Sequence, residues 1–297
     1  MKIFDCFMFY DEDLLLDLRL NILDQHVDFF VIVESKYFHN GKERQLKFDI
    51  KKYKQFENKI IYIVHENEPA GIHKVNKEDD EGIKSYKLIT NAHLRENEQR
   101  NQISRGLNNA TDNDLILISD VDEIPNFESI KLEKINNQII MFEQSIFYYK
   151  LNRYLPNFTW YGTKGCKKKD LLTFAWLREV KARKYPFLRL DTFFSKTKYN
   201  NIKIVENGGW HFSQLKTPKD IEIKLMNQEH HDEYKIAKDN LPNVEDLVKR
   251  KTIVYDHKAK SSDYKYSKEF KLKTLSIDYM PKFLQENVSK YSNWFDL

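Results

Sequence analysis

Through the first half of the chain, short runs of β-branched and aromatic residues alternate with longer segments whose apolar positions recur at helical spacing. Residues 2–10, KIFDCFMFY, read as a strand. Residues 11–26, DEDLLLDLRLNILDQH, read as a helix capped by Asp11 or Asp13, with Leu15, Leu18 and Ile22 on one face. VDFFVIVE (27–34) is a second strand, FDIKKYKQFEN (48–58) a short helix and KIIYIVH (59–65) a third strand. A long helix follows over 88–110, then a fourth strand, DLILIS, over 114–119. Strands alternating with helices predict an α/β fold with a mostly parallel central sheet flanked by helices. Ligands of such sheets bind beyond the carboxyl ends of the strands. That rule puts Asp11, Glu12, Glu34, Ser35 and the acids from Asp120 to Glu123 on one edge.

From about residue 138 the pattern changes. Residues 138–155 and 201–212 read as further strands, with a loop containing Gly162 and Gly165 between them, and the chain after Pro218 reads as Lys-rich helices. No internal repeat or low-complexity linker divides the chain, so 1–297 is expected to be a single domain with a helical C-terminal section. A hydrophobic fraction of 41% with 14% aromatics is enough for a sizeable core. Lys+Arg 49 against Asp+Glu 45 gives +4 with no dense basic block, which argues against a nucleic-acid partner. Cys6 and Cys166 make neither a disulfide framework nor a zinc spacing, so a reducing compartment is expected. The N-terminal apolar run is short and broken by Asp5, unlike a signal peptide or a transmembrane anchor, so a soluble, cytoplasmic protein is expected.

Asp-x-Asp occurs three times. At Asp11 to Asp13 it opens a leucine-rich helix, where acids cap amides and meet the positive dipole end. At Asp112 to Asp114 it lies in ATDNDL, a turn composition. The third copy, in LILISDVDEIPNF (115–127), differs because an apolar strand delivers Asp120, Asp122 and Glu123 to the sheet edge, and Pro125 then ends regular structure. Three anions that close repel one another unless a cation, a hydrogen-bond network or open water compensates. Carboxylates at i and i+2 past a strand end suit Mg²⁺ or Mn²⁺ shared with substrate phosphate oxygens, and equally suit a solvated acidic turn. In ENGGWHFS (206–213), two glycines permit close backbone approach, and His211 fits either a metal shell or a satisfied core position. Trp210 fits a sugar platform or the core.

FDCFMFYDEDLLLDLRLNIL, VDFFVIVES, NEQRNQISRGL, LILISDVDEIP and GGWHFSQL, in this order and spacing, resemble glycosyltransferase family 17, whose blocks span residue 4 to about 233. The resemblance implies a GT-A-like fold, a UDP-sugar donor, Mn²⁺ or Mg²⁺, inversion at the anomeric carbon and a glycan acceptor. It implies a nucleotide-sugar-binding half over 1–125, acceptor-side strands and loops over 126–216, and the helical section over 217–297. Carried over by position, Asp120 and Asp122 are the metal and donor residues and Glu123 orients them. Glu34 stands where the uridine is contacted, Arg100 and Arg105 answer the diphosphate, His211 contacts metal or pyrophosphate, and Trp210 stacks on a sugar. A single displacement needs a base. The candidates are Glu233 in HHDEY, then Glu206, with Asp191 third. The competing readings are a metal-dependent phosphoester hydrolase or nucleotidyltransferase, and an inactive glycan- or nucleotide-binding module.

Overall fold

Successive side chains of a buried strand face opposite layers, and the alternation in β1 (Ile3–Met8) assigns a cover to each face. Phe4 and Cys6 point into one apolar layer and Phe7 into the other. Helix α1 (Asp13–Leu23) covers the Phe7 face, setting Leu15, Leu16, Leu18, Leu20 and Leu23 against Phe7, Phe30 and Ile32. The opposite face is closed by Ile103 and Leu107, just past α2 (Glu81–Asn101), and by Phe174, Trp176 and Leu177 of α3 (Phe174–Glu179). Each such fully buried side chain contributes roughly 1.5–3 kcal/mol of transfer free energy, so both helical covers are strongly favoured. These features come from a computed structural model that describes all of residues 1–297 except 133–134, 184, 187, 193, 228–233, 235–239, 260–263 and 267.

Most strands among the described residues join a nine-stranded sheet. Its main path runs β3 (Ile60–His65), β2 (Phe29–Ser35), β1, β4 (Leu115–Asp120), β7 (Arg153–Lys167), β6 (Ile139–Tyr148), β8 (Ile202–Ser213) and β5 (Glu123–Pro125), and Lys273–Thr274 adds to β7. The first four strands are parallel, as expected for this α/β fold. Beyond β4 the sheet is mixed: β7 runs antiparallel to β4 and β6, β8 parallel to β6, and β5 antiparallel to β8. The chain builds outward from β1 through β2 to β3, then returns to add β4 on the other side of β1. Connections therefore leave β1 in opposite directions, and a crevice opens at the carboxyl ends of β1 and β4. Met8 and Asp120 are register partners across it.

Four sequence expectations are corrected. Helix α1 has Glu12 at its N-cap with no side-chain hydrogen bond to the helix, so neither Asp11 nor Asp13 caps it. The stretch around Gly162 and Gly165 is no loop but part of β7, fifteen residues long, and Cys166 lies in it as well. These glycines mark crowding, since a Cβ on Gly162 would meet the Glu123 and Gln144 side chains, and one on Gly165 the Leu117 side chain. Helix α2 begins at Glu81, not 88, because Asp80 caps it by accepting from Ile83 N at 2.7 Å; its first turn is too polar to show periodicity. The C-terminal section holds short helices at Pro218–Asn227 (α4), Val244–Arg250 and Lys282–Glu286, but it also contributes short strands at Thr252–Ile253, Phe270–Lys271 and Lys273–Thr274. Both cysteines are buried and free. Among the described residues, no helix is long and apolar enough to cross a membrane.

Gly209 holds β8 against β5. Its φ is +141°, and an added Cβ would collide with the Ile124 carbonyl. Gly209→Ala is therefore expected to cost about 1–3 kcal/mol, read as a lowered midpoint of urea unfolding. An unchanged midpoint would show that β5 tolerates a wider approach.

Candidate active site

The turn that carries the acids is fixed from beneath. Arg19, fully buried on α1, pairs with Asp5 of β1 (Nε to Oδ2 2.7 Å) and donates to the carbonyls of Asp120 at 3.2 Å and Glu123 at 2.7 Å. A guanidinium with five donors in a rigid fork can hold both at once. With its carbonyls engaged by Arg19, the turn is set in one conformation.

Glu123 is fully buried and sits at the centre of a hydrogen-bond network. It accepts from Trp160 Nε1 at 2.6 Å, from the Asp120 amide at 2.7 Å, and from Arg178 Nη1 and Nη2 at 2.7 and 3.0 Å. Arg178, at the end of α3, also reaches Asp120 Oδ2 at 2.9 Å. Burial alone would raise the Glu123 carboxyl, but the charges of Arg178 and His211 and the Arg178 hydrogen bonds together outweigh it and hold the group below its ordinary range. Asp120 is raised, because burial and the neighbouring Glu123 and Asp122 charges outweigh Arg178 and Arg100.

Asp122 faces a different cation. β8 pairs in register with β5 and sets His211 opposite Glu123, with His211 Nε2 3.6 Å from Asp122 Oδ2. Burial pushes the Asp122 carboxyl up, yet His211 and Lys224 prevail and bring it to about 2. His211 is raised in turn, its burial overcome chiefly by Asp122. The Trp160 ring stands 5.2 Å from the imidazole. The carboxylates thus coexist because Arg178, His211 and Lys224 surround them.

Above these groups lies a cavity of about 440 Å³. Asp120, Asp122, His211 and Lys224 line it together with Glu12, whose Oε1 is 3.6 Å from Lys224 Nζ. Toward β2 its wall is Tyr10, Phe38, His39 and Arg44; toward the C-terminal section it is Tyr148, Tyr255 and His257. The Arg44 guanidinium lies 4.3 Å from the centre of the Tyr10 ring. A divalent cation fits the donor chemistry here, since Asp120 and Asp122 offer hard oxygens and Asp120 Oδ1 is buried without accepting a hydrogen bond. Among the described residues, no group of three or more His, Cys, Asp or Glu converges on one point. Mg²⁺-type sites are commonly completed by water and substrate phosphate.

The other expected residues fall as follows. The Glu34 carboxylate is not presented to the cavity. It is fully buried and accepts from Arg44 Nη2 and Lys47 N, both at 2.7 Å, from Tyr62 OH at 2.8 Å and from Phe48 N at 3.0 Å. Glu34, next to last in a strand covered on both faces, instead fixes the loop that offers Arg44. Arg100 is buried against Glu96 at 2.7 Å and stands 3.6 Å from Asp120 Oδ1. Arg105 lies outside the cavity, bonded to the Val64 carbonyl at 3.0 Å. Trp210, one residue from His211 on a strand, points to the opposite layer, packs on the core and donates to the Tyr279 carbonyl at 2.8 Å. Glu206 is exposed and does not line the cavity; Asp191 is exposed, paired with Arg189 and Lys198. Glu233 lies outside the described residues. Asp114 accepts from Lys2 N and Thr111 N and closes a turn.

Sequence reasoning passed over Arg19, Arg178, Trp160 and Lys224. Arg19 left a signal, a lone cation in the apolar stripe LLLDLRLNIL, which demands a buried partner. Arg178 left none, because Glu123 is 55 residues away in sequence.

A doubly covered sheet, parallel at its start, with paired carboxylates at the switch point and a cavity beyond them, is the architecture of a GT-A-like protein. The description glycosyltransferase family 17 matches residues 1–294, and the chain belongs to that family. The β-1,4-mannosyl-glycoprotein 4-β-N-acetylglucosaminyltransferases of Homo sapiens, Rattus norvegicus and Mus musculus are each 25% identical to it over 236 residues, 73% of this chain. The match spans 41% of the length of those relatives. Among solved structures, HddC from Yersinia pseudotuberculosis aligns over 69% of this chain and 90% of its own, at 11% identity and a TM-score of 0.32, a likeness that carries no functional argument.

Proposed function

We propose that the protein is an inverting, metal-dependent glycosyltransferase that moves a sugar, GlcNAc first among the candidates, from a UDP-sugar to a hydroxyl of a glycan acceptor. The observation that carries the reading is the placement of Asp120 and Asp122 at the β1/β4 crevice, under a cavity, in a chain of this family. Asp120 and Asp122 would hold Mn²⁺ or Mg²⁺, which when bound neutralises charge on the departing diphosphate. Lys224 and Arg44 line the same cavity and suit the donor's remaining negative charge. Arg178 and Glu123 keep Asp120 oriented, so the carboxylates need little reorganisation when the donor arrives. Glu233, whose block resembles the family more than those of Glu206 and Asp191 do, is the proposed base.

A melting-temperature screen across nucleotide sugars with Mn²⁺ tests the donor. A UDP-sugar at saturation is expected to raise the transition by about 5 °C, and UDP release from UDP-GlcNAc to require Mn²⁺ or Mg²⁺. Stabilisation by a different nucleotide alone would overturn the donor; undiminished turnover in chelator would overturn the metal.

A further inference from the structure

Apart from the C-terminal Leu297, the most exposed large apolar side chains among the described residues sit on one segment. Between α3 and β8, Leu188 is 87% exposed, Leu190 74% and Phe194 91%. Three such side chains within seven residues of chain concentrate exposed apolar surface, as at an interaction site. The base of the segment is fixed: Trp176 Nε1 donates to the Lys196 carbonyl at 2.5 Å, the Lys181 amide to the Thr197 carbonyl at 2.8 Å, and Tyr199 packs against the core under α3. An anchored base thus carries an apolar tip.

Charge decides what the tip meets. Lys181, Arg183, Arg189, Lys196 and Lys198 flank it, and the acid among them, Asp191, is already held by Arg189 at 2.6 Å and Lys198 at 2.7 Å. The guanidinium carbons of Arg183 and Arg189 lie 5.7 and 5.2 Å from the centre of the Tyr185 ring, so cationic and aromatic groups sit together. Protein interfaces are depleted of lysine, whereas leucine and phenylalanine beside snorkelling cations suit the boundary between acyl chains and anionic headgroups. We propose that this segment docks the protein on an anionic lipid surface, with Leu188, Leu190 and Phe194 entering the acyl boundary and Lys181 and Arg183 meeting lipid phosphates. The contact is separate from the cavity and does not depend on what the cavity binds.

Sedimentation of the full chain with vesicles tests it. Vesicles of phosphatidylcholine containing phosphatidylglycerol are expected to carry the protein down, and phosphatidylcholine alone to leave it in solution. The triple variant Leu188→Ser, Leu190→Ser, Phe194→Ser is expected to weaken partitioning at least about 10-fold at an unchanged melting temperature, because these side chains touch mainly water. Lys181→Glu with Arg183→Glu should weaken it too. No binding to anionic vesicles, or equal binding by the triple variant, overturns the proposal. So does a concentration-dependent dimer that the triple variant abolishes, which would make the patch a contact between copies.

Discussion

Asp122→Ala is expected to lower sugar transfer by at least about 10³-fold while the fold persists. The carboxylate lines the cavity beside His211 and Lys224, and its turn neighbour Asp120 is tied through Oδ2 to Arg178. The fold should survive because the backbone contact at this position, the Phe212 amide donating to the Asp122 carbonyl at 2.9 Å, needs no side chain. His211 loses the partner that does most to raise it, and Glu123 and Asp120 remain beside it, so no cation is left without a nearby anion. The stability change should stay within about 1–2 kcal/mol. UDP release and melting temperature, measured on the same preparation, separate the two effects. Turnover near the parent's level would remove Asp122 from the site, whatever the melting temperature does.

Arg178→Met carries the largest expected loss of stability. Glu123 has no exposure to water, and deleting the cation that faces it leaves a buried charge, at a cost of about 3–5 kcal/mol. Activity should fall as well, since Asp120 loses its 2.9 Å partner. Arg178→Lys should rescue little, because a point charge cannot serve both carboxylates as the planar fork does. The sign of the pH dependence gives a second check. In the parent, the Glu123 pKa lies below the ordinary 4.5, so its contribution is present above that pH and disappears as pH falls through the lower folded value. Without Arg178 the largest opposing charge to burial is gone, His211 and the Trp160 and Asp120 donors compensate only in part, the carboxyl rises, and protonation relieves the defect. The deficit of Arg178→Met relative to the parent should therefore shrink between pH 7 and pH 5 in urea titrations, by about 1.4 kcal/mol for each tenfold gain in the carboxyl's proton affinity. A deficit equal at both pH values would show that Glu123 is not the buried anion the geometry implies.

Much of the first half was legible in the order of residues. Runs such as VDFFVIVE and DLILIS are apolar at both parities, which only a strand covered on two faces tolerates, and each does lie in the parallel part of the sheet. The two decoy Asp-x-Asp copies were separable for the same reason: one opens a helix and the other sits in a turn, whereas the third follows a buried strand. Legibility failed where the determining contact is remote. Gly162 and Gly165 read as loop residues because nothing nearby shows that Glu123 and Leu117 press on them. Glu34 and Arg105 suited the donor by type, but one is consumed by the loop it organises and the other faces away.

By itself the sequence determined the periodicities, and hence the α/β class, the strand that carries Asp120 and Asp122 to an edge, and the family to which the chain belongs. Local spacing suffices for these, because alternation and helical repeat act within a few residues. Only the tertiary structure decided how three neighbouring carboxylates are tolerated. Arg178, His211 and Lys224 come from three elements that lie more than 50 residues beyond the acids in the chain, and electrostatic compensation depends on distance through space.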